Sequence, residues 1–384
     1  MEVKKVPNVQ FGDVARECRE NYKGDQTGMP VVGLEHLEPE TMTLHAWGTS
    51  ADNNFTKCFH KGQVLFGRRR AYLKKAVVAP FDGICSGDIT VIEAKADILN
   101  PELLPFIVQN DDFFRFAVGH SAGSLSPRVK WEHLQNYEFT LPSMAEQDEL
   151  VELLRAMERT KNAYKELIIK TDELVKSQFV EMFGTFPANE HGWPVGTIRD
   201  GVMDVRYGSS RKAAEDNNGQ YPYLRMNNIT YGGELDLTDV KTIDIPDDEL
   251  DKCSVRRGDV LFNRTNSREL VGKTCVYNRD ELMVLAGFVV RVRVNDRLLP
   301  EFLSAFMNTD FTKTLLLSMC KAAIGQANIN ATEFQNIGIY FPPIECQQEF
   351  VQMKAQSDKS KFAAQQALAD LTATQKALMR QYLG

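Results

Sequence analysis

One stretch of this chain is spelled twice. Lys61-Gly62-Gln63-Val64-Leu65-Phe66 returns as Arg257-Gly258-Asp259-Val260-Leu261-Phe262, and Pro101-Glu102-Leu103-Leu104 as Pro300-Glu301-Phe302-Leu303. Val129, Leu134, Leu141-Pro142 and Gln147 reappear as Ile329, Phe334, Phe341-Pro342 and Gln347, each 200 residues later. One coincidence would mean nothing; several in the same order, at a nearly constant shift, mean a duplicated unit. The 384 residues also exceed what a single hydrophobic core usually supports, so the duplication supplies the domain count.

Each unit has the same internal layout. Short β-rich runs such as Val255–Phe262, Thr274–Tyr277 and Phe288–Val294 are separated by Gly, Asn and Asp turn residues. One helical segment sits among them, Pro101–Phe116 in the first unit and Pro300–Leu317 in the second, each opened by a proline suited to a first helical turn. A Leu-Pro or Phe-Pro step closes this part, and a long polar-apolar segment follows. The expected fold class is α+β: a globular domain over 1–142, a helix over 143–184, a second globular domain over 185–342 and a second helix over 343–384.

The long segments carry heptad rows. In the first, Leu150, Met157 and Tyr164 form one row, with Leu153, Leu167 and Leu174, and then Leu154, Ile168 and Val175, beside it. In the second the row is Phe350, Ser357, Ala364, Leu371 and Leu378. At 1.5 Å per residue each helix would be roughly 55–60 Å long. Neither can bury its stripe alone. The two are therefore expected to pack on each other, antiparallel if a two-fold axis relates the units, with the Ala-rich second helix allowing close approach. Leu150, Met157, Tyr164, Leu167, Leu174, Phe350, Ala364, Leu371 and Leu378 are the expected contact residues. The row containing Lys161, Lys354, Lys361 and Gln375 reads as too polar to be fully buried.

Positive charge is concentrated twice on an acidic background of formal net charge −7. Lys61, Arg68, Arg69, Arg70, Lys74 and Lys75 fall between 61 and 81 with no acidic residue among them. Between 256 and 279 lie Arg256, Arg257, Arg264, Arg268, Lys273 and Arg279 against Asp259 and Glu269. Both clusters leave the repeated G-x-V-L-F strand, so they occupy one structural position in duplicate. Arginine can grip guanine O6 and N7, and asparagine adenine N6 and N7, through paired hydrogen bonds. Candidate DNA-binding residues are thus Arg68, Arg69, Arg70 and Lys74 in the first unit. In the second they are Arg225, Asn227, Asn228, Arg264, Asn266, Arg268, Lys273 and Asn328, with Lys74 and Lys273 as phosphate contacts. The plain alternative is a pair of solvated basic loops.

Other chemistry finds no foothold. No G-x-x-x-x-G-K-[ST] loop, H-E-x-x-H or G-x-S-x-G occurs, and no Gly-rich dinucleotide or adenosylmethionine loop follows a strand. The six histidines and seven cysteines lack metal-ligand spacing. Asp88 followed by Glu93-Ala94-Lys95 has the order of a metal-dependent nuclease core, but Arg293 stands where the second unit would need the glutamate. No run of about 18 apolar residues occurs, and MEVKKVPNVQFGD has no signal-peptide core, so a cytoplasmic protein without a membrane segment is expected.

The order of these features resembles the specificity subunit of Type I restriction–modification systems. Each long helix follows an [LF]-P-x-x-x-x-Q step, Leu141 to Gln147 and Phe341 to Gln347, and each domain holds the repeated G-D/Q-V-L-F strand. The resemblance covers essentially the whole chain and departs at Cys346, where the first unit has Glu146. It implies two target recognition domains, each reading half of a bipartite asymmetric double-stranded DNA site, and helices forming a coiled-coil spacer. It further implies that this chain is not itself an enzyme, that two methyltransferase subunits dock on it, and that restriction subunits join them. S-adenosylmethionine, ATP and magnesium would then be bound by those partners, with no cofactor or metal in this chain. Two other readings remain: a self-contained nuclease using Asp88, Glu93 and Lys95, and a two-headed scaffold that binds proteins through its helices.

Overall fold

The computed structural model describes residues 7–49, 54–320 and 327–384. The chain forms two compact units, Met1–Lys165 with Gln366–Gly384, and Glu166–Gln365. Each therefore takes one globular head together with parts of both long helices, α1 (Met144–Phe183) and α2 (Ile344–Leu383). No helix among the described residues is long and apolar enough to cross a membrane.

The two heads share one topology. In the first, an antiparallel sheet runs in the order Ala15–Cys18, Ile89–Ala94, Val64–Gly67, Ala76–Val78. The second head repeats it as Val202–Tyr207, Val289–Val294, Val260–Asn263, Thr274–Val276. A second four-stranded sheet follows in each, containing one parallel pair: Pro30–Val32 beside Gly83–Cys85, and Tyr221–Leu224 beside Met283–Leu285. The sequence run 255–262 is two strands rather than one. A turn separates them at Gly258, whose φ of +89° matches the +90° of Gly62 in the repeated motif. Both positions need a residue without Cβ.

The helical segment of each head is also divided. Leu104–Val108 is followed by Asp111–Gly119, and Pro300–Met307 by Asp310–Met319. The breaks fall where a side chain captures the next helix's free amides. Asn110 accepts from the Asp112 N–H, and the Thr309 hydroxyl from the Thr312 N–H.

Helix and head are joined by the glutamine of the repeated step. Gln147 is buried; its Oε1 accepts from the Asn100 N–H (2.8 Å), and its Nε2 donates to the Pro142 (2.9 Å) and Ile98 (3.2 Å) carbonyls. Gln347 repeats the arrangement on Leu299 N–H (2.8 Å) and the Pro342 and Arg297 carbonyls (both 2.9 Å). A leucine has glutamine's bulk but none of its bonds. Gln347→Leu should cost about 1–3 kcal/mol, because three backbone groups lose their partner in a dry site. Urea unfolding checks this; an unchanged midpoint would show that the bonds contribute nothing.

Within each unit the helices run antiparallel. In the first, Leu150, Val151 and Leu154 share a buried cluster with Met379 and Leu383, and Lys161 reaches Gln375. In the second, Phe179, Phe183, Phe302 and Phe350 form an aromatic cluster with centroids 4.9–5.7 Å apart. Leu150, Met157, Phe350 and Ala364 are buried, and Tyr164, Leu371 and Leu378 partly so. Leu167 and Leu174, expected at the contact, are instead half exposed at 50% and 51%. The buried line of α1 steps by four and three, through Leu150, Leu154, Met157, Lys161, Tyr164, Ile168, Thr171 and Val175. The row 153, 167, 174 lies on its flank.

The polar row is likewise different from expectation. Lys361 is 7% and Gln375 5% exposed, so both lie in the seam. Lys161 meets Glu158 (2.6 Å) and Gln375 (2.8 Å). Lys361 meets Asp172 (2.6 Å) and Glu234 (2.7 Å). A buried ammonium is tolerated here because each has an anion within hydrogen-bond reach.

Candidate nucleic-acid interface

The first basic cluster continues directly from strand Val64–Gly67. Arg68 N–H donates to the Asp88 carbonyl (3.0 Å), and Val129 N–H to the Arg68 carbonyl (3.0 Å). Arg69 bridges to Arg128 through backbone pairing, and Arg70 N–H donates to the Pro127 carbonyl (2.7 Å). The result is a narrow ribbon of 68–70 against 127–129. Asp88 lies beneath it, gripped by Arg128 (2.7 Å) and Arg69 (3.5 Å). The Arg128 hydrogen bond holds the Asp88 carboxyl below the usual carboxylate range. Arg70 sits in the left-handed region at φ 55°, with its side chain exposed.

The second head builds the same ribbon from different residues. Arg264 N–H donates to the Phe288 carbonyl (3.0 Å), and Ile329 N–H to the Arg264 carbonyl (2.9 Å). Thr265–Asn266 then pairs with Ala327–Asn328, and the Thr265 hydroxyl donates to the Asn328 side chain (2.8 Å). Asn328, distant in sequence, is thus brought beside Arg264 and Asn266. The Arg264 guanidinium lies 4.8 Å from the centroid of the Tyr207 ring, and the Tyr207 hydroxyl accepts from the Ala331 N–H (2.9 Å). Stacking on a ring fixes the plane of an arginine fork while leaving its edge free. Arg268 is exposed beyond the ribbon.

Each ribbon borders a cleft. In the first head it encloses about 730 Å³ and is lined by Arg68 with Arg19, Asn21, Lys57, Trp131 and His133 among others. In the second it encloses about 560 Å³, lined by Arg264, Arg211, Tyr223, Arg225, Asn227 and Phe288 among others. The Nε atoms of Arg68, Arg225 and Arg264 are buried without a hydrogen-bond partner. A buried donor left unpaired costs about 1–3 kcal/mol. Two arginines at one repeated position carry that same deficit.

Four expected residues do other work. Lys74 is bound to Asp111 (2.6 Å), which also holds Lys376 of α2 (3.0 Å). Asn228 is 2% exposed; its Oδ1 accepts from the Arg225 N–H and its Nδ2 donates to the Asp236 and Asp239 carbonyls, closing the turn that carries Asn227. Lys273 is 7% exposed, and burial pushes its ammonium pKa down, which suits a core position and not a phosphate contact. Arg225 keeps a cleft-facing position but spends one end of its fork on Asp239 (2.8 Å). Residues missed by sequence reasoning are Arg128, Tyr207, Arg211 and Phe288. Arg128 was findable, standing 200 residues before Asn328.

The nuclease-like order does not assemble. Asp88 precedes the strand Ile89–Ala94 and Glu93 lies near its far end, so five strand steps, roughly 16 Å, separate them. Glu93 pairs with Arg16 across the sheet (3.1 Å), where the second head has the same register with charges reversed, Asp204 opposite Arg293. Lys95 donates to the Gly12 carbonyl (2.8 Å). Among the described residues no group of three or more His, Cys, Asp or Glu could hold a metal ion.

The model of the Type I restriction modification DNA specificity domain matches residues 16–171 and again 191–368. The chain is 24% identical over 284 residues to the EcoKI specificity subunit of Escherichia coli, covering 69% of this chain and 61% of that one. It is 26% identical over 191 residues to the MjaX specificity subunit of Methanocaldococcus jannaschii, covering 49% and 44%. The matches thus span less than two thirds of either relative. Among solved structures, the S subunit of a Type I restriction–modification system from M. genitalium is similar in fold, with TM-score 0.56, 11% identity and coverage of 100% and 98%. A chain from a study of assembly and conformational transition in the type I R-M system has TM-score 0.57, 20% identity and coverage of 98% and 97%.

Proposed function

The chain belongs to the Type I restriction modification DNA specificity domain family, and from that premise we propose that it is the DNA sequence-recognition subunit of a Type I restriction–modification complex. Each head reads one half of a bipartite, asymmetric site. The observation that carries this reading is the duplicated ribbon, in which Arg68 and Arg264 each line a cleft with a buried, unpartnered Nε. The two clefts differ in every other charged lining residue, which supports different half-sites. The chain itself performs no chemistry. Methyl transfer and cleavage, with S-adenosylmethionine, ATP and magnesium, belong to two methyltransferase subunits and to restriction subunits. The half-exposed Leu167 and Leu174 on the flank of α1 are apolar surface that a docked helical partner would cover.

Mapping methylated adenines in the host genome tests the reading and supplies the site. Duplexes carrying that site, or the site with either half scrambled, are then titrated with the full chain and its methyltransferase partners. Scrambling either half should weaken binding, and the logarithm of affinity should fall linearly with that of salt concentration. Binding indifferent to sequence would favour a scaffold. Magnesium-dependent cleavage by the purified chain alone would favour a nuclease.

A further inference from the structure

Beside the reading turn of the second head runs a hairpin that ends on the helix pair. The turn Met226–Asn228 is closed by Asn228, whose backbone carbonyl accepts from the Asp236 N–H (2.9 Å). Ile229 then bridges to Leu235, and Thr230 N–H donates to the Glu234 carbonyl (2.9 Å). Asn228 and Asp236 form the base of this hairpin, and Tyr231 to Glu234 its tip.

The tip is fastened at three places. Gly233, at φ +86°, lies so close to Asn308 and the Thr274 carbonyl that no side chain would fit. The Glu234 carboxylate meets Lys361 of α2 at 2.7 Å, and the same ammonium holds Asp172 of α1 at 2.6 Å. Lys313 lies 5.1 Å from the Tyr231 ring centroid and donates to the Gly272 carbonyl (2.9 Å), at the end of the loop that begins with Arg264. Burial pushes Lys313 down to about 8, so the group is held in a dry site by these contacts. The hairpin thus continues from the turn that carries Asn227, contacts Lys361 of α2 directly, and is linked through Lys361 to Asp172 of α1 and through Lys313 to the loop after Arg264.

The first head is tied differently: Asp111 links Lys74, in the loop after Arg70, to Lys376 of α2 (2.6 and 3.0 Å), and among the described residues no hairpin reaches Lys161. Lys161, 200 residues before Lys361, is satisfied by Glu158 and Gln375 from the helices themselves. Glu40, which lines the neighbouring cavity of about 350 Å³, is exposed.

We propose that Glu234 and Lys361 are positioning residues for DNA reading by the second head, fixing the Arg225–Asn228 turn to the α1–α2 seam through the hairpin 228–236. The proposal rests on the DNA-recognition reading above. It makes the second half-site sensitive to the Glu234–Lys361 contact, which the first head does not share.

The test uses the full chain with Glu234→Gln, Lys361→Met and the double variant, titrated with duplexes carrying the intact site or either half scrambled. Asp172 and Glu234 are 53% and 50% exposed, so they stay hydrated when Lys361 is removed and the fold is kept. Glu234→Gln should weaken reading of the second half-site about 5- to 20-fold, with the first unchanged. The slope of affinity against salt should also stay unchanged, because no phosphate contact is lost. In the Lys361→Met background, Glu234→Gln should have no further effect. Equal losses at both half-sites, a salt slope reduced by about one, additive single effects, or no effect would each overturn the proposal. Arg264→Ala is the control. If it weakens the second half-site while Glu234→Gln does not, the coupling fails and DNA reading stands; if neither does, both fail.

Discussion

Removing four residues from between Ala156 and Glu173 should abolish binding to the native bipartite site, weakening it by about three orders of magnitude or more. Four residues advance a helix by about 6 Å and rotate everything beyond the cut by about 40°. The buried line of α1 alternates steps of four and three, so a shift of four carries Tyr164 and Thr171 off the line and sets Ile168 and Val175 against the wrong partners, in the former places of Tyr164 and Thr171. Lys361 would face something other than Asp172. The informative companion removes seven residues from each helix, which preserves the alternation. If helix length sets half-site separation, that variant folds and prefers a site shortened by about three base pairs, the number spanned by roughly 10 Å of duplex. Titration against duplexes differing only in spacer length reads both. Unchanged affinity of the four-residue deletion for the native site would refute the role of the helices as a ruler.

Arg264→Ala with Arg268→Ala should damage one half-site alone. Arg264 has its guanidinium stacked over Tyr207, its backbone bonded on both sides and its Nε buried without an acceptor. An arginine fixed in this way is worth about 1–3 kcal/mol against a wrong base pair, or about 5- to 150-fold in affinity. Competition with duplexes scrambled in one half or the other should show discrimination lost at the second half-site and kept at the first. Arg68→Ala should show the mirror image. Loss of discrimination at both halves from the Arg264 and Arg268 changes would mean that the heads do not read independently.

The duplication was the most legible feature, because motif order and shift survive even where the residues differ. Heptad spacing also located α1 and α2, yet it ranked Leu167 and Leu174 with Leu150. Periodicity identifies rows, and three adjacent apolar rows offer no way to choose the inner one. Lys161 and Lys361 escaped for the opposite reason. A lysine looks like surface until the carboxylate that accompanies it is known, and Glu234 lies 127 residues from Lys361. Charge counting found the ribbons but could not tell Arg264 from Lys273, since nine residues of loop carry one to the cleft and the other into the core. Glu93 resembled a catalytic carboxylate only until its cross-strand partner Arg16 was placed.

The way each compact unit is assembled has a practical outcome for anyone dissecting this protein. A fragment ending at residue 142 keeps every strand of the first head but loses Leu150, Val151, Leu154, Met379 and Leu383, which complete its buried cluster. Its cut face would be oily, and such fragments tend to clump or to capture stray helices. Supplying the missing stretches of α1 and α2 in trans, as two short synthetic peptides, is the rational way to keep a solitary head in solution.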